Sequence, residues 1–135
     1  MIIAVDFDGT LCENQYPYAG CPNHYLLSVL RQLKSNGEVE LILWTCRVGK
    51  NLQFAVDWCK DHGIEFDAVN ENLPRIVDQF GGDNRKVFAD LYIDDRSVDF
   101  SIDTMEAIIN SEYTLHKDRY IESLIRDAIR EKSNV

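Results

Sequence analysis

Two aspartates lie one residue apart near the start of the chain, directly after an apolar run. Residues 2–5 are Ile-Ile-Ala-Val and residues 6–10 are Asp-Phe-Asp-Gly-Thr. If residues 2–5 form a buried strand, Asp6 and Asp8 emerge on the same side of its carboxyl end, because side chains along a strand alternate with period two. Two like charges about 6 to 7 Å apart repel each other unless a cation lies nearby, and Mg²⁺ is the ordinary remedy. The alternative is a strand that ends in a plain Asp-Gly turn.

Further polar groups follow two later apolar runs. One run ends at Thr45, and another ends just before Asp94 and Asp95. Lys86 precedes Asp94 by eight residues. In an open parallel α/β sheet, ligands bind beyond the carboxyl ends of the strands, so these groups are expected in one crevice. Carboxylates, a hydroxyl group and a lysine at three strand ends are the groups that Mg²⁺-dependent phosphoryl transfer needs.

The elements that position these groups alternate along the chain. Apolar runs predict strands at 2–5, 39–45, 64–69 and 89–93. Apolar residues at helical spacing predict helices over 22–36 and 50–62, and residues 72–80 are a turn or a short helix. Residues 12–21 are rich in turn formers and aromatic residues, which is typical of a projecting loop or a small hairpin. The alternation predicts a doubly wound, Rossmann-like parallel sheet with helices on both faces.

The last 40 residues carry a less regular pattern. Residues 105–109 are an edge strand or a helical turn, and the strand is favoured. Apolar side chains form one stripe within 121–129, which predicts a helix over about 118–132 that packs on the core. Binding of a partner through this stripe is the alternative. At 135 residues, the chain is expected to be one domain, 1–135.

Composition excludes several classes of function. The net charge of −9 disfavours non-specific binding to nucleic acid or to an anionic membrane. No apolar run approaches the roughly 18 residues of a membrane span, and no basic region marks a signal peptide, so a cytoplasmic location is expected. The four cysteines lack a Cys-x-x-Cys pair and are expected to be reduced thiols. Five of the 14 basic residues adjoin the predicted strand ends and suggest an anionic ligand: Arg47, Lys50, Arg85, Lys86 and Arg96.

In their order and spacing, these motifs resemble those of the haloacid-dehalogenase (HAD) superfamily of phosphotransferases. The matching positions are Asp6-Phe7-Asp8-Gly9-Thr10, the hydrophobic strand that ends in Thr45, Lys86, and Tyr92-Ile93-Asp94-Asp95. They span residues 2–95, and residues 96–135 lie outside the resemblance. The Asp-Asp-Arg run at 94–96 also resembles the fourth motif of some polynucleotide 3′-phosphatases in this superfamily.

The resemblance implies a Mg²⁺-dependent phosphomonoester hydrolase, and chemical reasoning agrees with the roles that it suggests. Asp6 is the expected nucleophile and becomes an aspartyl phosphate. Asp8 protonates the leaving oxygen and later takes a proton from water, while its backbone carbonyl binds the metal. Thr45 donates a hydrogen bond to a phosphoryl oxygen, and Lys86 supplies positive charge to the phosphate and to Asp6.

The remaining site residues are metal ligands or substrate contacts. Asp95 is the first choice as the further metal ligand beside Asp6, and Asp94 either supports it or takes its place. The candidate substrate contacts near the phosphate are Gly9, Thr10, Cys46, Arg47 and Arg96. The two arginines among them are each left open between a substrate contact and a salt bridge on the rim. Cys46 is interpreted as a packing residue rather than a nucleophile, because no histidine is placed to activate it.

The intervals between the motifs leave no room for a cap domain of the kind that many HAD proteins insert. Only 34 residues separate Thr10 from Thr45, and 40 separate Thr45 from Lys86. An open site suits a phosphate on a large substrate, such as a nucleic-acid end or a protein side chain, or a site that a second subunit closes in a homo-oligomer. A small phosphorylated molecule is the other option. The Tyr16–Gly20 loop is either a partial lid or a surface turn.

Two other classes of function compete with an enzyme. One is a catalytically idle binding module that keeps the HAD fold, although no motif position is lost. The other is a phospho-acceptor like a two-component receiver domain, which also uses clustered aspartates, a threonine and a lysine. In the receiver fold the acidic pair comes first and the phosphorylated aspartate lies on a later strand, so the motif order here disfavours it. Other phosphoryl or carbon–halogen chemistry is a further alternative, and the complete acidic metal set argues against halide release, which needs no Mg²⁺.

Overall fold

The apolar runs of the sequence form a parallel sheet. The computed structural model describes residues 1–97 and 113–134. In chain order, the elements are β1 (Ile2–Val5), β2 (Cys12–Gln15), β3 (Tyr18–Pro22), α1 (His24–Ser35), β4 (Glu40–Leu43), α2 (Gly49–Asp61), β5 (Ala68–Val69), α3 (Pro74–Phe80), β6 (Leu91–Ile93) and α4 (Tyr113–Ser133). Four strands pair in the order β5-β4-β1-β6, all parallel. This is an α/β structure, consistent with a Rossmann-like fold.

The chain divides into two compact units, Met1–Asp95 and Arg96–Val135. The elements from β1 to β6 belong to the first unit, and α4 belongs to the second. No cap domain is inserted within residues 1–95, because the intervals between the motifs hold only β2 to α3. The single domain over 1–135, with its last helix packed on the core, stays a prediction.

The central strand β1 is buried along its whole length. On one face of the sheet, Ile2, Ala4 and Ile42 pack in one cluster with Leu73 and Ile76, which lie at and within α3. Fully burying an aliphatic side chain of this size contributes about 1.5–3 kcal/mol, so this face accounts for much of the stability of the sheet. Since β1 has no polar side chain before residue 6, the motif aspartates begin where the buried strand ends.

Both long helices predicted in the first unit are confirmed. The segment 22–36 forms α1, which begins where the Asn23 side chain accepts a hydrogen bond from the Leu26 N–H at 3.1 Å. The segment 50–62 forms α2, with bounds shifted by one residue. Residues 74–80 form α3, so the short helix rather than the turn is confirmed. The two long helices each bury apolar side chains on one face, which is the physical reason that periodicity predicted them.

Other predictions differ in extent, and the strands predicted at 39–45 and 89–93 are shortened to β4 and β6. The predicted strand 64–69 is shortened to β5, because at Asp67 the side chain rather than a strand carbonyl accepts the Leu41 N–H, at 2.7 Å. Residues 12–21 form a true hairpin, in which β2 and β3 pair antiparallel. The favoured strand at 105–109 lies outside the described residues. No helix among the described residues is long and apolar enough to cross a membrane.

The helix predicted near the C-terminus is present as α4. Its stripe is only partly buried, since Ile125 is fully buried while Leu124 is 41% exposed. The charged residues that follow, such as Arg126 and Arg130, are exposed as the stripe predicts. The helical periodicity was therefore sufficient to place this element.

Candidate active site

The motif residues gather at one end of the sheet because of the strand order. The chain runs outward from β1 to β4 and β5 on one side, and then crosses to β6 on the other side of β1. The order therefore reverses between β1 and β6. In open α/β sheets, the crevice beyond the carboxyl ends of the strands at such a reversal is the usual ligand site. Val5 of β1 pairs with Ile93 of β6, so the residues after each of them adjoin.

Three carboxylates meet at this point. One oxygen from each of Asp6, Asp94 and Asp95 lies within 4.8 Å of the other two. The Thr10 hydroxyl donates to Asp6 Oδ2 at 3.2 Å and accepts the Asp95 N–H at 3.0 Å, so it ties the two strand ends together. Thr10 is 5% exposed. It therefore braces the carboxylates from inside, and the sequence-based expectation of a substrate contact at Thr10 gains no support.

The surroundings of Asp6 in this acidic cluster disfavour the ionised form of its carboxyl group. Burial, followed by the negative charge of Asp94, raises the pKa of Asp6 to about 7 from 3.8, with a smaller contribution from Asp95. The hydrogen bond from the Phe7 backbone N–H acts in the opposite direction. Hard divalent cations such as Mg²⁺ prefer oxygen ligands and favour the ionised carboxylate. The donor set therefore fits the predicted metal.

Gly9 allows the acidic cluster to close. Its φ of +81° lies in the left-handed region, and a Cβ at this position would overlap the Asp95 carboxylate. Only glycine adopts this conformation without steric cost, and only glycine leaves the space that Asp95 fills. Gly9 was expected to contact substrate, and the structure instead shows that it leaves the space in which the Asp95 carboxylate lies.

Asp8 lies in a different environment from Asp6. Its two carboxylate oxygens accept hydrogen bonds from Arg47, Oδ2 from Nε at 2.8 Å and Oδ1 from Nη2 at 2.7 Å. This carboxylate raises the pKa of Arg47 further above its usual range. The charge of Asp8 is therefore balanced by an arginine and not by a shared cation. The expected repulsion between Asp6 and Asp8 is replaced by repulsion between Asp6 and the acids that follow β6.

Arg47 forms a salt bridge, which is one of the two alternatives predicted for it, but the salt bridge is buried and not on the rim of the site. The side chain of Arg47 is almost completely buried, and the ion pair with Asp8 is internal. A bidentate arginine–carboxylate pair of this kind is among the stronger polar contacts in proteins. Neighbouring Cys46 is a free and exposed thiol, so its interpretation as a packing residue is wrong, and its contact with substrate stays a prediction.

Thr45 lies two residues beyond the end of β4, because this strand stops at Leu43 and not at Thr45 as predicted. Its N–H donates to Asn70 Oδ1 at 2.8 Å, and its hydroxyl oxygen accepts the Arg47 N–H at 3.2 Å. Within the described residues its hydroxyl hydrogen has no acceptor, so it is available to a phosphoryl oxygen. The predicted role of Thr45 is compatible with this geometry.

Lys86 is not joined to the acidic cluster. Its Nζ lies 5.6 Å from the centroid of the Tyr92 ring, and among the described residues it forms no ion pair with Asp6. Lys86 and Tyr92 line a cavity of about 420 Å³ together with Phe80 and Phe88. The role expected of Lys86, to place its positive charge beside a bound phosphate, stays a prediction. Arg96 belongs to the second unit, and its substrate contact also stays a prediction.

Two asparagines that sequence reasoning did not single out hold the loops of the site. Asn70 adopts a φ of 53°, and it bonds the Thr45 N–H, which anchors the loop after β4. Asn72 is 5% exposed, accepts the Phe88 N–H at 2.6 Å and donates to Asp83 Oδ1 at 2.8 Å. The signal in the sequence was an Asn-Glu-Asn run directly after a strand, since asparagine tolerates left-handed backbone and bonds main-chain groups.

A solved structure of a conserved protein from Bacteroides thetaiotaomicron is similar to this chain. The two share 38% sequence identity with a TM-score of 0.64, and the match covers 83% of this chain and 91% of that one. No protein-family model and no curated protein matches the chain. The likeness establishes kinship and fold, so the chemistry rests on the residues described above.

Proposed function

We propose that this chain, which belongs to the same family as the conserved Bacteroides thetaiotaomicron protein, is a Mg²⁺-dependent phosphomonoester hydrolase of the HAD type. The observation that carries the proposal is the acidic cluster of Asp6, Asp94 and Asp95 at the reversal of strand order. A group of acids is not by itself an active site. Here it coincides with a nucleophile position, a threonine hydroxyl and the ligand crevice of an α/β sheet.

Asp6 and Asp95 would hold the metal, with Asp94 as a further or alternative ligand and the Asp8 backbone carbonyl as the predicted fourth group. When bound, Mg²⁺ supplies charge that screens the approach of a carboxylate to a phosphate dianion. Asp6 is both a ligand and the nucleophile in this scheme, which explains why its carboxylate stands in the cluster rather than in an ion pair with a side chain.

The reaction takes two steps. In the first, an Asp6 carboxylate oxygen forms a bond to phosphorus, the ester P–O bond breaks, and the leaving alcohol takes a proton from Asp8, which enters this step as the carboxylic acid and leaves it as the carboxylate paired with Arg47. In the second, water attacks the phosphorus of the aspartyl phosphate and gives a proton to Asp8, so that inorganic phosphate leaves and the carboxylate of Asp6 is restored. Thr45 donates its hydroxyl hydrogen to a phosphoryl oxygen, and Lys86 is proposed to approach the phosphate in the complex.

We extend the proposal to the fold and the substrate class. The order β5-β4-β1-β6 and the packing of α3 on one face support a doubly wound, HAD-like sheet with helices on both faces. The absence of an inserted cap within residues 1–95 supports an open site for a phosphorylated macromolecular end or side chain, with a small phosphorylated molecule as the other option. A homo-oligomer that closes the site and a cytoplasmic location stay predictions.

The test is phosphate release from para-nitrophenyl phosphate by the purified chain. We expect turnover with Mg²⁺ and none with a chelator, and loss of at least about a thousandfold in kcat in Asp6→Asn. Asp61→Asn, which removes an exposed carboxylate from the end of α2, is the matched control and should retain wild-type turnover. Turnover that persists in chelator or in Asp6→Asn would overturn the mechanism.

A panel of substrates then identifies the class. Phosphorylated sugars, nucleotides, peptides and 3′-phosphorylated oligonucleotides are compared by kcat/KM in Mg²⁺. An open site predicts that the oligonucleotides or the peptides give the largest values. Efficient turnover of small phosphates alone would contradict the large-substrate part of the proposal and leave the reaction type intact.

One observation favours a second candidate function, a Mg²⁺-binding module without turnover. Arg47 engages both oxygens of Asp8, and a general acid needs one oxygen directed at the leaving group. This candidate predicts Mg²⁺ binding by calorimetry and no phosphate release from any member of the panel. The hydrolase proposal requires that the pair with Arg47 rearranges during the reaction.

A further inference from the structure

Arg47 is a buried cation whose donors are all occupied. It is 2% exposed. A guanidinium group has five N–H donors, and five hydrogen bonds are present here. Two of them go to Asp8, and the other three go to the backbone carbonyls of Pro17 at 2.7 Å, Tyr18 at 2.8 Å and Asn51 at 3.3 Å. One side chain therefore joins Asp8, the hairpin formed by β2 and β3, and the first turn of α2.

Aromatic rings surround the same guanidinium group. Its Cζ lies 4.7 Å from the ring centroid of Phe7, 5.1 Å from that of Tyr16 and 5.6 Å from that of Phe54. These rings come from the Asp6–Thr10 motif, from the hairpin and from α2 respectively. Cations are attracted to aromatic faces, and exclusion of water strengthens the ion pair inside. The arginine is thus held by the same three parts of the molecule that it joins.

The base of the hairpin is fixed by the Gly9 N–H, which donates to the Cys12 carbonyl at 2.9 Å, but the part beyond it has few means of holding its position other than Arg47. The two strands pair with each other and do not join the parallel sheet. An isolated two-stranded hairpin is at most marginally stable in water, so its docking depends on contacts with neighbouring elements. Apart from Arg47, those contacts include the hydrogen bond from Asn51 Nδ2 to the Tyr16 hydroxyl at 2.8 Å and the edge contact of Tyr18 with Phe54 at 6.4 Å.

Burial makes the two halves of this arrangement interdependent. A buried guanidinium group is strongly unfavourable without a partner charge, and Asp8 is the partner. If Asp8 swings away, Arg47 loses its counter-charge, and the carbonyls of the hairpin lose the cation that they bind. Conversely, if the hairpin lifts, water reaches the ion pair and weakens it.

From these contacts we propose that Arg47 is a positioning residue that couples the hairpin to Asp8, so that docking of the hairpin and the orientation of the Asp8 carboxylate change together. The inference rests on the proposed hydrolase function for its consequence in catalysis, because Asp8 moves protons there. A docked hairpin therefore keeps the Asp8 carboxylate in the orientation from which it moves protons, and a hairpin that lifts loses that orientation. Of the two alternatives that the sequence analysis gave for the Tyr16–Gly20 segment, this coupling favours the partial lid over the surface turn.

The coupling itself is tested without any substrate, by hydrogen–deuterium exchange of residues 12–22. Asp8→Asn and Arg47→Lys should each raise exchange in the hairpin by about tenfold, because a lysine cannot form the bidentate pair and the three carbonyl bonds together. The double variant should show no further increase. Arg75→Lys, at an exposed arginine ion-paired with Glu40, is the matched control and should leave the hairpin unchanged. Unchanged hairpin exchange in Asp8→Asn would overturn the proposal.

The catalytic consequence is tested by the dependence on the leaving group. Tyr16→Phe removes only the exposed hydroxyl that bonds Asn51 and keeps the ring beside Arg47. We expect this variant to lower kcat for an alkyl phosphate, whose leaving group needs a proton, by about three- to tenfold, the range for one lost hydrogen bond. Turnover of para-nitrophenyl phosphate, whose leaving group needs little protonation, should change by less than about twofold. Arg47→Lys should show the same selectivity with a larger loss.

The outcomes are distinguishable. Equal losses for both substrates in Tyr16→Phe and in Arg47→Lys indicate a purely structural role and overturn the positioning proposal. A gain in alkyl phosphate turnover in Arg47→Lys also overturns it, because Arg47 would then only restrain Asp8. If the wild-type chain hydrolyses no phosphate monoester, the proposed function fails, whereas the exchange experiment still decides whether the hairpin and Asp8 are coupled.

Discussion

Two aspartates of one short motif acquire opposite electrostatic surroundings. Asp6 stands among other acids, and burial raises its pKa to about 7. Asp8, two residues later, faces the guanidinium group of Arg47. The difference suits a division of roles, since a nucleophile that shares a cation needs neighbouring carboxylates, and a group that moves protons must be oriented separately.

The surroundings of Asp6 predict that the metal-free protein becomes less stable as pH rises. The pKa of Asp6 is about 7 in the folded chain against an ordinary 3.8, so between these values the folded state holds a proton that the unfolded state has lost. The free energy of unfolding therefore falls with rising pH across this window. Asp6→Asn should remove this fall in stability. In chelator, at a pH above the folded-state pKa of about 7, the variant should be more stable than wild type by about 1–2 kcal/mol after allowance for solvent screening.

Urea denaturation in chelator, followed across the same window, measures this effect. Asp61→Asn serves again as the control for loss of an exposed carboxylate. A wild-type stability that rises through the window, or an Asp6→Asn variant that shows the same fall as wild type, would contradict the assigned environment of Asp6.

At the scale of elements, the loops of the site depend on side chains that replace strand hydrogen bonds. Asn70 and Asn72 follow the two-residue strand β5, which is too short to hold its neighbours by pairing alone. Asn70 secures the loop that carries Thr45, and Asn72 secures the loop that carries Lys86. Short strands with polar residues at their ends thus place the groups proposed to be catalytic, while the apolar core supplies stability.

The bonds of Asn72 predict a loss of stability in Asn72→Ala. The substitution leaves the Phe88 N–H without its acceptor next to a buried position, which costs about 1–3 kcal/mol, whereas the backbone N–H of residue 72 still donates to Asp83. Asn84→Ala, which truncates an exposed asparagine of the loop that Asn72 holds, should change stability by less than about 0.5 kcal/mol. Urea denaturation of both variants at one pH compares them, and equal effects would show that Asn72 is not the brace of this loop.

At the scale of the whole molecule, the site exists because distant strands end together. β1 and β6 are separated by more than 80 residues in the chain and are neighbours in the sheet. A cation bound to Asp6 from one and to Asp94 and Asp95 after the other would link both ends of the first unit. Metal binding and global stability are therefore expected to be coupled.

This coupling predicts that Mg²⁺ raises the unfolding temperature. A ligand at a hundred times its Kd adds about 2.7 kcal/mol to the free energy of unfolding when it binds only the folded state. Wild type should show a rise in Tm that saturates with Mg²⁺, and Asp95→Asn should lose most of it. Asp61→Asn should respond like wild type in the same thermal scans. A wild-type Tm that is the same in Mg²⁺ and in chelator would contradict the proposed metal site.

Much of the fold and part of the site could be predicted from particular residues. The apolar run before Asp6 and the leucines of α1 placed their elements because burial imposes periods of two and 3.6 residues on a sequence. Asp67 shows where periodicity fails as a predictor. Its side chain, in place of a strand carbonyl, accepts the Leu41 N–H, and β5 is shorter than predicted. The use of a side-chain acceptor in place of a backbone acceptor leaves no periodic signal in the sequence.

By itself, the sequence determined which chemical groups stand at the strand ends, because strand alternation and apolar runs are local properties of the chain. It therefore indicated the acids Asp6 and Asp95 and the reaction class that they suit. Only the tertiary structure decided which charges meet. Asp8 faces Arg47 across 38 intervening residues, Thr10 ties Asp6 to Asp95, and Lys86 lies beside Tyr92. Coulombic and hydrogen-bonding partners depend on distances of a few ångströms, and these are set by packing between remote segments.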